Sequence, residues 1–172
     1  MKRLGLLPLL LLLGCEALWG RFNKPHFELA QPSRSSTIAI SQDDAVLVVV
    51  NQDHGSISVF EPSTLTRTAV LPTGSEPCAV VLHPDGDTAF VANRDDATVV
   101  KVVGLRSRTP QVVATAAVGS EPSGLALSPR GRRLFVAEFG ESSIAVLETE
   151  GLTLTATIPE VAKFSVEHQE WA

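Results

Sequence analysis

The chain contains no tyrosine, one methionine and two cysteines among its 172 residues, and only 19% of its residues are charged. Two cysteines are too few for a disulfide-stapled scaffold or for a metal site built from several thiolates. Fourteen Lys and Arg against 19 Asp and Glu give a net charge of −5, which argues against a nucleic-acid-binding protein, since such proteins carry clustered cations. The apolar fraction of 44% excludes a disordered chain, and the length allows about one domain.

Catalytic signatures are also lacking. The sequence holds no Cys-x-x-Cys-His heme-attachment motif, no P-loop, no dinucleotide fingerprint and no Gly-x-Ser-x-Gly elbow. The histidines at positions 26, 54, 83 and 168 do not have the spacing of a metal site. We expect His83 to be a solvated turn residue and Cys78 to be a buried, inert side chain. These absences predict a protein without enzymatic activity, cofactor or metal of its own.

No apolar run is long enough to cross a membrane as a helix. Lys2 and Arg3 precede a run from Leu4 to Leu13 that is ten residues long, whereas a spanning helix needs about 20. A basic start followed by a short apolar run is typical of a signal peptide. The sequence therefore predicts a signal peptide over residues 1–14, followed by an irregular tether over residues 15–34.

The end of the apolar run, Leu12-Leu13-Gly14-Cys15, resembles the lipobox of bacterial lipoproteins. That resemblance implies cleavage before Cys15 and attachment of a lipid to its sulfur. An ordinary signal peptide with an incidental cysteine is the alternative. Glu16 in place of Asp favours the outer membrane over the inner one. We therefore expect an exported protein that is held on a membrane by its lipid, or is otherwise secreted.

Internal repetition is the main signal in the remainder of the chain. The segment Gly74-Ser75-Glu76-Pro77 recurs 45 residues later as Gly119-Ser120-Glu121-Pro122, and the shared register continues without a gap. An earlier copy lies 42 residues upstream, where Val48-Val49-Val50-Asn51 aligns with Phe90-Val91-Ala92-Asn93. Three copies in one register predict three structural units, over residues 35–73, 74–118 and 119–158, with an irregular tail over 159–172.

Each unit has the sequence pattern of four short strands separated by turns. Alternating and β-branched runs are followed by Pro-Asp-Gly or Pro-Arg-Gly, which favour tight turns, and no segment has a helical period. Four antiparallel strands in about 40–45 residues make one blade of a β-propeller. The fold class predicted is all-β, a partial β-propeller of three four-stranded antiparallel blades.

The repeats resemble those of the YVTN-type β-propeller family over about residues 36–158. Val48 to Asn51, Phe90 to Asn93 and Phe135 to Glu138 are similar to its Tyr-Val-Thr-Asn signature. The Gly-x-x-Pro segments at 74–77 and 119–122 match its lead-in. The resemblance implies a propeller ring, usually of seven blades.

Three blades cannot close a ring, since propellers have about 4–8. Blades 1 and 3 would each expose an apolar face, which is seldom tolerated on a monomer. Three explanations remain open: the chain is a truncated piece of a longer propeller, several copies assemble into a closed ring, or an open wedge packs on a different partner.

Carboxylates recur after the second strand of each unit. These candidate site residues are Asp53, Asp95, Asp96, Glu138 and Glu141. Their related offsets place them at one end of adjacent blades, where they predict a cation-binding or polar-ligand face; ordinary acidic turns are the alternative.

Two functions remain open from the sequence. The first is an exported, lipid-anchored scaffold without catalysis that binds a protein or another cell-envelope partner. The second follows from the propeller resemblance: such propellers resemble the accessory parts of periplasmic redox enzymes with a c-type heme, or of lyases. In that case the chain would be the N-terminal part of a larger enzyme.

Overall fold

The structure is a computed structural model that describes residues 37–159. Twelve β-strands and one short 3-10 helix, Gln52–His54, make up this part of the chain. The strands of the first sheet are β1 (Ile38–Ile40), β2 (Leu47–Asn51), β3 (Ser56–Glu61) and β4 (Thr66–Pro72). Those of the second are β5 (Pro77–Leu82), β6 (Ala89–Asn93), β7 (Thr98–Val103) and β8 (Gln111–Ala117). Those of the third are β9 (Pro122–Leu127), β10 (Arg133–Glu138), β11 (Ser143–Glu148) and β12 (Thr153–Ile158).

Each sheet is an antiparallel meander in which consecutive strands are neighbours. The inner strands β1, β5 and β9 contact one another from blade to blade, while β12 is exposed along its whole length. This is the stacked arrangement of propeller blades, and it confirms the predicted fold class of three four-stranded antiparallel blades. Within residues 37–159 the structure contains no helix of the length and hydrophobicity that a membrane crossing requires.

The irregularities of the strand pairing also repeat from blade to blade. The pairing of the third with the fourth strand shifts register at Val59/Phe60, Lys101/Val102 and Val146/Leu147, which are equivalent positions in the three blades. Such bulges increase the local twist of a sheet, and each blade uses the same one to turn its outer strand. The tight turns after β5 and β9 contain Gly86 and Gly131 at φ of 68° and 71°, as their turn sequences predict.

The hydrophobic core lies between the blades. Because side chains alternate across a strand, blade 2 has two apolar faces. Val80, Leu82 and Val91 pack against blade 1, whereas Val81 and Phe90 pack against blade 3. We call the face that a blade turns to the preceding blade its head flank, and the face that it turns to the following blade its tail flank.

At the interface of blades 2 and 3, the head flank carries mostly large aliphatic side chains, and the tail flank carries smaller ones together with one phenyl ring. The head flank of blade 3 carries Leu125, Leu127, Leu134, Val136 and Leu147, all buried against blade 2. The tail flank of blade 2 packs against this surface with Ala79, Val81, Phe90, Ala92 and Val99. Large residues therefore fill the space that small residues leave, and the two flanks fit each other.

Candidate functional site

The two ends of the three-bladed piece differ in charge. The turn end contains the loops that follow the first and third strands of each blade. The linker end contains the loops after the second strands and the segments that join the blades. Among the described residues, the linker end carries mostly carboxylates, with Arg94 as its one arginine or lysine: Asp53, Glu76, Asp95, Asp96, Glu121, Glu138 and Glu141.

Four of the predicted site residues hold the blade linkers. The backbone N–H of Ser75 donates to Asp96 Oδ2 at 2.7 Å, and its hydroxyl donates to Asp95 Oδ2 at 3.0 Å. One repeat later, Ser120 N–H donates to Glu141 Oε1 at 3.1 Å. Asp96 and Glu141 thus accept hydrogen bonds from linker N–H groups that no strand would satisfy, and Asp95 accepts from the Ser75 hydroxyl.

Glu138 is the buried member of the set. It accepts from Gly119 N–H at 2.6 Å and from the hydroxyl of Ser143. Asp53 is exposed in the 3-10 helix and makes no hydrogen bond to either described linker. Among residues 37–159, no group of three or more His, Cys, Asp or Glu side chains is placed to hold a metal ion. The cation-binding face stays a prediction, and the structure supplies a structural role for four of its five carboxylates.

In blades 2 and 3 the last residue of the second strand fixes the preceding linker, in a different way in each blade. Asn93, which is fully buried, donates from Nδ2 to the carbonyl of Thr73 at 2.9 Å and to the hydroxyl of Thr98 at 3.2 Å. In blade 3, Glu138 accepts from a linker N–H instead. The departure from Asn at position 138 is therefore a change from donor to acceptor at one structural position.

A cleft of about 300 Å³ opens at the turn end, where the three inner strands finish. Its walls come from all three blades: Ile38, Ala39, Ile40, Ser41, Gln42, Leu82, His83, Pro84, Leu127, Ser128 and Pro129. We call it the axial cleft, because inner strands surround the axis of a propeller. Its walls are mainly aliphatic and its rim is polar, the usual character of a site for a small molecule or cofactor.

His83 lies at the boundary between the axial cleft and a smaller one of about 220 Å³ between blades 2 and 3. Its Nδ1 is 3.0 Å from Asp85 Oδ2. Burial would raise the pKa of the Asp85 carboxyl, but hydrogen bonds from Asp87 and Thr88 outweigh it and hold the pKa below its ordinary value. The other ring nitrogen, Nε2, faces Gly131, where an added Cβ would lie only 2.1 Å away. His83 is thus a turn residue, as the sequence predicts, but its side chain is only partly solvated because it lies between two blades.

Polar contacts between blades surround these clefts. Lys101 Nζ donates to the carbonyls of Thr149 and Glu150 at 2.9 and 2.8 Å, which ties blade 2 to blade 3. Arg106 Nη2 lies 2.7 Å from Asp43 Oδ2 and ties blade 2 to blade 1. Hydrogen bonds from Ser41 and Arg106 lower the pKa of Asp43 to about 2, so this contact remains ionic across the physiological range.

Cys78 is half-buried, and its thiol donates to the carbonyl of Pro122 in blade 3 at 3.0 Å. Burial raises the pKa of this thiol, so the reactive thiolate is disfavoured. Sequence reasoning missed the axial cleft altogether. The signal available was the repeated turn after each inner strand, at Ser41, His83 and Ser128, which the propeller topology brings to one place.

Comparison with known proteins supports the fold and identifies a family. Residues 33–170 match the model of the cytochrome D1 heme domain. No curated protein matches the chain. The chain is similar to hydrazine synthase of Kuenenia stuttgartiensis, with 28% identity and a TM-score of 0.65 over 70% of this chain and 34% of that one.

Two further solved structures share the fold. Dihydro-heme d1 dehydrogenase NirN, in complex with DHE, matches with 22% identity and a TM-score of 0.60 over 70% of this chain and 25% of that one. The Cps50 (Swd1) β-propeller domain of Myceliophteria thermophila matches with 12% identity and a TM-score of 0.61 over 74% and 43%. The chain spans between a quarter and somewhat over two-fifths of these proteins.

These matches correct one prediction. The expectation of a protein without enzymatic activity is wrong at the level of family, because the matching family is a cytochrome heme domain and two of the similar structures are a synthase and a dehydrogenase. A heme domain leaves the reactive chemistry to its cofactor, so the lack of a catalytic motif in the polypeptide excludes little.

The described residues fit a heme only in part. The axial cleft supplies aliphatic walls, but iron also needs an axial ligand such as imidazole. His83 is the imidazole at this cleft in the described part of the chain, and its Nε2 packs on Gly131 without space for a metal between them. Residues 37–159 in this conformation therefore offer walls but no axial ligand. The match nevertheless extends over most of the sequence, and the chain belongs to the cytochrome D1 heme domain family.

Proposed function

We propose that this chain forms part of the propeller of an exported, heme-associated oxidoreductase, in which the axial cleft is one wall of the cofactor chamber. The observation that carries the proposal is the cleft itself, formed at the ends of three inner strands in a chain of a heme-domain family. We expect other parts of the enzyme to bind the substrate and to supply the axial ligand of the heme iron, because the chain spans a minor part of its structural relatives.

The chemistry of the cleft supports this use. Ile38, which is 50% exposed, offers apolar contact to a macrocycle, and Gln42 and Ser128 line the same cleft as hydrogen-bonding groups. Burial of an apolar ring against such walls is favourable by about 25 cal/mol per Å². The wall therefore provides binding energy and orientation, and the redox chemistry is supplied by the group when it is bound.

A change that fills the cleft tests the proposal. The purified full chain is titrated with heme d1, and with protoheme for comparison, while the Soret absorbance is followed. We expect saturable binding that Gln42→Trp weakens at least about tenfold, because the indole would occupy the mouth. Gln111→Trp is the matched control, since Gln111 is exposed on the outer strand β8, and it should bind like the wild type. Absence of saturable binding to the wild-type chain would contradict the proposal.

His83 gives the same titration a second readout. Because its Nε2 faces Gly131, we expect His83→Ala to leave the absorption spectrum of bound heme unchanged and the affinity within about threefold. A displaced Soret band in this variant would identify His83 as a ligand and would show that the ring turns on binding.

Export and anchoring are part of the proposal. Cys15 and the apolar run before it lie outside the described residues, so their support is the sequence alone. We expect Cys15→Ser to move the protein from the membrane pellet to the soluble fraction, because the sulfur that would carry the lipid is lost. Cys78→Ser, which removes the other thiol, should remain in the pellet. Equal distribution of the two variants would show that Cys15 is not the anchor.

A further inference from the structure

We propose that the smaller cleft between blades 2 and 3 binds a small zwitterion of the α-amino acid class, with Lys101 holding its carboxylate and Glu150 its ammonium group. We call it the interblade cleft; it has a volume of about 220 Å³. Its polar and charged walls include His83, Asp85, Lys101, Thr149 and Glu150. All of these residues belong to blades 2 and 3, so the cleft is formed without any further blade of the propeller.

Lys101 occupies a position that is apolar in the other two blades. It is the fourth residue of the third strand, where blade 1 has Val59 and blade 3 has Val146, both of which are buried. Lysine is seldom placed in the interior of a protein, because its charge loses hydration there. The side chain reaches the turn end of blade 3 and lines the interblade cleft. The lysine at this position therefore has a reason other than packing of the flank.

The ammonium group of Lys101 retains an uncompensated charge and one hydrogen-bond donor. Two of its three N–H groups donate to the carbonyls of Thr149 and Glu150, at 2.9 and 2.8 Å. These acceptors are neutral, and no carboxylate within residues 37–159 forms an ion pair with Lys101. The remaining N–H and the charge fit an anionic group such as a carboxylate.

Two carboxylates border the interblade cleft, and only one of them is free. Asp85 accepts from the backbone N–H groups of Asp87 and Thr88 and from the Thr88 hydroxyl, at 2.8, 2.9 and 2.9 Å. It also lies 3.0 Å from Nδ1 of His83. Glu150 is exposed, and its carboxylate makes no hydrogen bond or ion pair within the described part of the chain. Glu150 therefore fits a cationic group.

The two unpaired charges have opposite signs and border the same cleft without pairing with each other. A simple anion would be repelled by the Glu150 carboxylate, and a simple cation by the ammonium group of Lys101. A molecule that carries both a carboxylate and an ammonium group compensates both charges. The small volume and polar walls favour a compact molecule, such as glycine. Glycine has no macrocycle and none of these contacts lies in the axial cleft, so the result is independent of the proposed heme function.

The test titrates the isotope-labelled full chain, purified in mild detergent, with glycine and follows it by NMR. We expect saturable shifts of the amide resonances of Thr149 and Glu150, with a dissociation constant in the millimolar range. Acetate and methylammonium, which each carry one of the two charges of glycine, should bind at least about tenfold more weakly. Lys101→Met and Glu150→Gln should each weaken glycine binding at least about tenfold, because one of the two charged contacts is lost.

Glu148→Gln is the matched control, because Glu148 is an exposed carboxylate at the end of β11 and does not line the interblade cleft. This variant should bind glycine within about twofold of the wild type. Circular dichroism confirms that each variant retains its strands. Absence of saturable glycine binding would overturn the proposal and leave Lys101 as a bridge between two blades. Acetate binding as tight as glycine binding, or unchanged affinity in either cleft variant, would overturn it as well.

Discussion

Replacement of Phe90 by alanine is expected to lower the free energy of unfolding by about 3–5 kcal/mol, the usual loss for a large aromatic residue in a well-packed core. The ring of Phe90 is fully buried among residues of blades 2 and 3, where Leu134, Leu147 and Val81 belong to the same cluster. Its removal leaves a cavity between two sheets that are each held by hydrogen bonds and can collapse little. Urea denaturation followed by circular dichroism measures the loss.

Phe135→Ala is the natural control, because Phe135 occupies the same repeat position with a half-buried side chain. Measured in the same way, it should cost less than half as much, because a half-buried ring loses fewer apolar contacts when it is removed. Equal losses at both positions would show that Phe135 is already packed.

Asn93→Asp is the second change with a large expected effect. The amide of Asn93 donates to the carbonyl of Thr73, and an ionised carboxylate cannot donate. The new charge would be buried beside Asp96, and a buried uncompensated charge costs about 3–5 kcal/mol. We expect a loss of this size at pH 7 relative to the wild type.

The loss should depend on pH. Burial and the neighbouring Asp96 raise the pKa of the introduced carboxyl in the folded chain above the ordinary value of about 3.9. The penalty therefore grows as the pH rises from about 4 through the raised folded pKa, and shrinks on acidification, when the protonated carboxyl can donate to Thr73. Unfolding of variant and wild type across this range measures the difference.

Two further variants separate charge from the hydrogen bond. Asn93→Ala should cost about 1–3 kcal/mol without this pH dependence, because it leaves the Thr73 carbonyl unpaired but introduces no charge. Asn51→Asp should cost little, since the amide of Asn51 donates to the hydroxyls of Ser56 and Ser58, which can rotate and donate to a carboxylate. A large loss at position 51 would contradict the role assigned to Thr73.

The architecture could be predicted from the sequence because it repeats. Strand periodicity, the turns at Gly86 and Gly131 and the shared register identify twelve strands and their order, and the structure has them. Such features are local, and three copies reinforce one another. The bulge at the equivalent positions Val59, Lys101 and Val146 could not be predicted in the same way, since it depends on pairing between strands.

The site was predicted less well for a physical reason. Asp96 and Glu138 were expected at one end of the blades, but their partners Ser75 and Gly119 lie some twenty residues earlier and meet them only when the first two strands of a blade pair. His83 meets Gly131 of the next blade only when the blades stack. The enzymatic connection was missed because a heme protein needs walls and a ligand, neither of which has a contiguous motif.

The two faces of a blade differ, and this has a consequence for how genes of this kind change length. The tail flank of each repeat is complementary to the head flank of the next repeat. A duplicated segment inserted between any two repeats would therefore meet compatible neighbours on both sides. Recombination can therefore add or remove a unit without compensating substitutions elsewhere, and selection then acts on the number of repeats that closes around the axis.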